Sequence, residues 1–137
     1  MLSKVHSAAA QGVEATAVEV EVDLSQGMPS ERVVGLPDTA VKESLHRVRA
    51  ALTNAGYSWP FNKRLTINLA PADSRKEGPI YDLPIALGVM AGSEQMQMEL
   101  IKDYLFVGEL ALDGHIRPVK GALLFANLAR DLKIKNN

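Results

Sequence analysis

The stretch RLTINLAPADSRKEGPIYDLPIALGV, residues Arg64 to Val89, decides the fold, because an alternating apolar run, a polar loop and an uncharged helical run meet in it. Leu65, Ile67 and Leu69 alternate with Thr66 and Asn68, the period of a strand with one buried face. Pro71 to Pro79 is rich in charge, Gly and Pro and reads as a loop. Asp82, followed by Leu83 and Pro84, reads as a helix cap with proline in the first turn. Ile85 to Ala91 carries no charge, so that helix is expected to be buried. A strand, a loop and a helix N-terminus make a place where a nucleophile or a phosphate can be held.

Upstream, Lys4 to Ala10 reads as a short first strand and Gly12 as a turn. Ala15 to Leu24 is a clear strand, with Val18, Val20, Val22 and Leu24 on one face and Glu19, Glu21 and Asp23 on the other. SQGMPSE, residues 25 to 31, is a turn, and Arg32 to Gly35 a third short strand, which together predict an antiparallel or mixed sheet. Asp38 is expected to cap one helix running to about Ala55 and stopped by Gly56. Val41, Leu45, Val48, Leu52 and Ala55 form its apolar stripe. Lys42, Glu43, Arg47 and Arg49 lie off the stripe, on a face read as solvated, with contact to nucleic acid or a partner as the alternative. Tyr57, Trp59 and Phe61, with Pro60 among them, read as a plug at the edge of the core rather than a platform for stacking bases.

Downstream, Gly92 to Asp103 is a connector with one helical turn. Tyr104 to Leu110 and His115 to Val119 are expected to pair as strands across the Asp-Gly turn of LDGH. A last helix starts at Gly121 and ends in the basic tail KIKNN. Strands, helix, strand, helix, hairpin and helix, with no repeat or linker between them, predict one α+β domain over residues 1–137, a mixed sheet packed with helices.

The composition narrows the function. With 137 residues, 47% hydrophobic and 23% charged, the chain can bury a core of its own. A formal net charge of -1 gives no global field toward nucleic acid or a membrane surface. The absence of Cys excludes disulfides and thiolate metal sites, and His6, His46 and His115 lack ligand spacing, so no metal is expected. MLSKVHSAAAQG lacks the features of a secretion signal, and no apolar run is long enough for a membrane span. A cytoplasmic protein without membrane contact is the expectation.

Three phrases carry a resemblance: VGLPDTAVKESLHRVRAAL at 34–52, TINLAPADSRKEGPIYDLPIALGV at 66–89 and FVGELALDGHIRPVKGAL at 106–123. Together they resemble the N-terminal domain of the ComM-type, magnesium-chelatase-like AAA+ ATPases, from about residue 15 onward. The resemblance implies a Lon-protease-domain-like fold, shared with sugar-kinase-like enzymes and the second domain of a small-subunit ribosomal protein. It also implies a larger protein whose ATPase domain lies outside these 137 residues. ATP and Mg2+ would be bound there, since no GxxxxGK[ST] sequence occurs in this chain. RKEGPIYD, with one Gly and acidic residues, makes a poor phosphate nest, and no cofactor is expected in this domain.

Lon-type proteases take a nucleophilic Ser from a DGPSAG loop and a base Lys from the helix after a GEVTLRG hairpin. By resemblance these positions fall on Ile80 and Leu123, neither of which attacks a carbonyl or moves a proton. A displaced pair would be Ser74 and Lys120, each several residues from the expected place. Glu77 and Asp82 as paired acid-base carboxylates stand against the simpler reading of an exposed loop residue and a helix cap.

The resemblance therefore implies a non-catalytic domain of a ring-forming, homo-oligomeric ATPase that acts on branched DNA in recombination, supporting ring assembly or DNA contact. The alternative is a Ser-Lys, ATP-dependent peptidase domain of Lon type. The candidate contact residues for DNA or a partner are Lys42, Arg47, Arg49, Lys63, Arg64, Arg75 and Lys76, provided they share one surface, together with the exposed loop Asp73 to Glu77.

Overall fold

A computed structural model describes residues 1–132. The KIKNN tail expected after the last helix lies outside the described residues. The chain opens with strand β1 (Leu2–Gln11) and strand β2 (Glu14–Ser25), an antiparallel hairpin closed by Gly12 at φ +62°. Strand β3 (Ser30–Val34) follows, and strand β4 (Arg64–Ala70) lies between β2 and β3, antiparallel to the first and parallel to the second. The order β1-β2-β4-β3 makes the sheet mixed, in agreement with the alternation read from the sequence.

That alternation places the core. Val20 and Val22 pair with Leu69 and Ile67, and all four are buried with Val5 and Leu65 on one face of the sheet. Each such side chain contributes about 1.5–3 kcal/mol relative to exposure. On the other face Glu21 accepts a hydrogen bond from Asn68 at 2.8 Å and stands 3.9 Å from Lys4.

Helices α1 (Thr39–Lys42) and α2 (Ser44–Asn54) replace the single helix expected from Asp38 to Ala55. Asp38 caps as predicted, its Oδ1 accepting from the Val41 N–H at 2.8 Å. The break falls at Glu43, where Arg47 reaches back and donates to the Ala40 carbonyl at 2.9 Å; a side chain inserted into the helical ladder is a known cause of such kinks. Val41, Leu45, Val48 and Leu52 are buried as expected. Ala55 is not part of the stripe: it sits past the last turn, exposed, before Gly56 at φ +94°. Of the three plug aromatics only Trp59 is buried, whereas Tyr57 and Phe61 face solvent.

Helix α3 (Asp82–Gly92) follows β4 and the loop, and all but two of its residues are buried. It lies close against the hairpin, since a Cβ at Gly88 would stand 2.4 Å from Cγ2 of Val22, and the Gly88 carbonyl accepts from Ser3 Oγ at 2.7 Å. The connector after it holds a short 3-10 turn at Met98–Leu100, as read.

The late hairpin is shorter than expected. Leu105 makes a single parallel bridge to His6, after which Gly108 turns inward, donating to Ile80 and accepting from Leu83. Pairing resumes only in strands β5 (Glu109–Leu110) and β6 (Ile116–Arg117). Helix α4 (Ala122–Asp131) follows Gly121, one residue later than read from the sequence, and packs Phe125 and Ala129 on Ala8 and Leu105, a second small core. The architecture is α+β, a mixed sheet packed against helices, and among the described residues no helix is long and apolar enough to cross a membrane.

Candidate functional site

Asp82 is not the cap of α3 but its first residue, and its side chain turns inward with no exposed surface. Oδ1 accepts from Ser44 Oγ at 2.6 Å and Arg47 Nη2 at 3.0 Å; Oδ2 accepts from Arg47 Nε at 2.7 Å and the Leu110 N–H at 3.0 Å. One carboxylate thus ties α2, α3 and β5 together, and its charge suits the positive end of the α3 dipole. The hydrogen bond to Asp82 raises the Arg47 pKa above its ordinary value, although burial works the other way. Arg47 is therefore withdrawn from the candidate DNA contacts, because its guanidinium satisfies a buried charge.

Lys76 is withdrawn for a related reason. The sequence places it in an exposed loop, yet it has no exposed surface. Its Nζ donates to the carbonyls of Gly35 at 2.7 Å, Pro71 and Ser74, which clips two loops together. Desolvation lowers its pKa, and the charge of Asp73 opposes that shift. Gly35 has to be glycine here, at φ +108° with a Cβ position 2.2 Å from the Leu69 carbonyl oxygen.

The other cations disperse. Arg49 pairs with Glu31 and lies 5.4 Å over the ring of Trp59, whose Nε1 donates to the same carboxylate at 3.0 Å. Lys42 is exposed on α1. Lys63 and Arg64 stand at the start of β4, and Arg75 lies past its end, paired with Glu77 at 3.3 Å. A seven-residue strand puts these ends about 20 Å apart. The seven residues do not share one surface. Of the loop Asp73 to Glu77, Asp73, Arg75 and Glu77 are exposed.

Of the two positions that the resemblance aligns with a Lon-type nucleophile and base, Ile80 is half-buried in the 3-10 turn Pro79–Tyr81 before α3, and Leu123 is 73% exposed on α4. Ile80 lines a cavity of about 570 Å³ with Phe125 and Val119. Lys120 lines it too, whereas Ser74 and Leu123 do not; Ser74 Oγ is turned to the Pro71 carbonyl at 3.5 Å. Three carboxylates also border this cavity. Asp38 holds the Gly78 N–H on its second oxygen at 3.1 Å, Glu77 reaches Arg75, and Glu109 stands 3.5 Å from Arg117. Glu77 and Asp82 are not a working pair, since only Glu77 faces the cavity. Among the described residues no cluster of His, Asp and Glu is arranged to hold a metal ion.

Sequence reasoning missed Tyr81. Its ring is wholly buried, and its hydroxyl finds no hydrogen-bond partner among the described residues. It lines a second cavity of about 290 Å³, which shares Ala10 and Glu77 with the first. Burial, then the charges of Asp38 and Glu77, push its pKa up to about 12, so the hydroxyl keeps its proton at neutral pH. The only signal in the sequence was a phenol at the edge of an otherwise apolar run, beside Ile80.

Residues 20–137 match the family described as subunit ChlI of Mg-chelatase. The chain is 52% identical over 128 residues to the protein YifB of Escherichia coli K12, an alignment covering 93% of this chain and 25% of that protein. It is 50% identical over 122 residues to the competence protein ComM of Haemophilus influenzae, covering 89% and 24% respectively. A protein of Mycobacterium tuberculosis H37Rv is 44% identical over 122 residues, again 89% of this chain and 24% of the relative. The chain spans about a quarter of the length of these curated relatives.

Proposed function

Because the chain belongs to the family of the ChlI subunit of Mg-chelatase, with ComM and YifB among its relatives, we propose that it is a non-catalytic domain of a ComM-type AAA+ ATPase that supports ring assembly. The observation that carries this reading is the pair Ile80 and Leu123 at the Lon-type positions, with Ser74 outside the cavity that Ile80 lines. A hydroxyl that cannot meet a base in the same cavity has no route to activation. The fold is read as Lon-protease-domain-like, which the mixed order β1-β2-β4-β3 supports.

ATP and Mg2+ belong, on this reading, to the rest of the protein. The residues present here do not fit a nucleotide: the chain has no GxxxxGK[ST] sequence, and Asp82 fills the start of α3 with a carboxylate that repels phosphate. Contact with branched DNA is the lesser role, since of the cations left exposed Arg64 stands at the start of β4, Arg75 past its end and Lys42 on α1. A cytoplasmic location goes with this assignment.

The test is made on the longer protein, with and without this domain, by mass photometry in the presence of nucleotide. Loss of the ring on deletion is the expected result; rings of unchanged size and stability would overturn the assignment.

A further inference from the structure

We propose that helix α4 is a strap that opens on its own. It leaves and rejoins the β1–β2 hairpin while the main core stays closed, and each opening joins the apolar cavity beneath it to the cavity beside Ile80.

The first ground is that α4 has a core of its own. Phe125 and Ala129 cluster with Ala8 and Leu105, apart from the core that holds α2, α3 and the sheet, and Ile80 packs against both. β4 pairs with β2 from Glu19 onward, so the part of the hairpin between Ala8 and Ala17 runs past it. Losing α4 therefore uncovers that arm and Leu105 without parting any strands of the sheet.

The second is the weakness of the attachment. Of the ten residues of α4 only Phe125 and Ala129 are buried, and the facing side chains are small, Ala126 and Ala129 against Ala8 and Ala15. A methyl group removes little apolar surface from water, which leaves Phe125 as the one large anchor. Among the described residues no hydrogen bond or ion pair joins an α4 side chain to the rest of the domain, and the pair Arg130–Asp131 lies within the helix.

The third is a packing fault with a joint beside it. A cavity of about 170 Å³ lies under α4, lined by Leu105, Val107, Val119, Phe125 and Ala126 among other apolar side chains. Such a void forfeits the dispersion contacts that would hold the helix down. Val119 and Phe125 also line the cavity beside Ile80, so Phe125 stands between the two, and its departure makes them one. At the joint, Gly121 has φ +82°, and a Cβ there would meet only Leu124 and Phe125 of α4 itself, which leaves the turn unobstructed by the rest of the domain.

A free helix of ten residues does not hold its hydrogen bonds in water, so an undocked α4 exchanges its amide protons. The experiment is native-state hydrogen exchange on the 137-residue protein, read amide by amide by NMR and corrected for intrinsic rates, with α3 as the reference. Amides of Phe125 to Ala129 are expected to exchange at least about a hundredfold faster than those of Ile85 to Met90. Phe125→Ala should speed α4 at least about tenfold further and leave α3 unchanged. Ala126→Leu, which adds apolar volume at the cavity wall, should slow α4 about tenfold and again leave α3 unchanged. Equal protection of the two helices in the wild type, or variants that move both helices alike, would overturn the strap.

Discussion

The guanidinium of Arg47 meets the fully buried carboxylate of Asp82 at 2.7 Å, and the same carboxylate accepts from Ser44 and the Leu110 N–H. A helix-surface cation is thereby turned into the link between α2, α3 and the β5 strand. Arg47→Ala leaves Asp82 buried without its counter-charge and should cost about 3–5 kcal/mol in urea denaturation. Arg47→Lys should recover less than half of that loss, because an ammonium cannot make the forked pair.

Lys76 makes a different internal contact, with three carbonyl acceptors and, among the described residues, no acid in hydrogen-bonding reach. Lys76→Met leaves those oxygens without their donor and should cost about 2 kcal/mol at neutral pH. The pH dependence has a definite sign. Between the lowered pKa of the folded state and the ordinary value of 10.5, the unfolded chain still holds the proton that the folded chain has released. The unfolded state then binds more protons, so the Lys76 contribution to stability rises with pH through that window. The difference between wild type and Lys76→Met, measured by denaturation across the window, should grow accordingly.

The sheet and the buried α3 were legible because their signals are periodic and uninterrupted. Val18 to Leu24 and Leu65 to Leu69 alternate cleanly, and Ile85 to Ala91 lacks any charge. What the sequence concealed was the destination of polar side chains. Asp82 sits where a cap would sit, and only the fold brings Ser44 and Arg47, 38 and 35 residues away, onto its oxygens. Lys76 lies in a loop whose composition signals solvent, and its burial depends on carbonyls that the loop's own path converges on it. The helix break at Glu43 has the same origin, since it follows from where the Arg47 side chain goes.

Tyr81 yields a prediction of opposite sign. Tyr81→Phe removes a buried hydroxyl that has no hydrogen-bond partner among the described residues while keeping the ring, and should stabilise the protein by about 1 kcal/mol at neutral pH. In the wild type the unfolded phenol ionises near 10, whereas the folded one holds its proton up to about 12. The folded state then binds more protons, so stability falls as pH rises through that interval. By pH 12 the advantage of the Phe variant should grow by about 2–3 kcal/mol, as two units of pKa imply.

The central claim is the proposal that the positions read as a Lon-type site do no chemistry, and peptide hydrolysis tests it most directly. The 137-residue protein, incubated with a mixed library of fluorogenic peptides and with ATP present, should show no turnover above buffer, and Ser74→Ala and Lys120→Ala should leave that background unchanged. Cleavage that either substitution abolishes would contradict the account, because it would place a working nucleophile or base where the fold puts Ile80, a displaced Ser74 and an exposed Leu123.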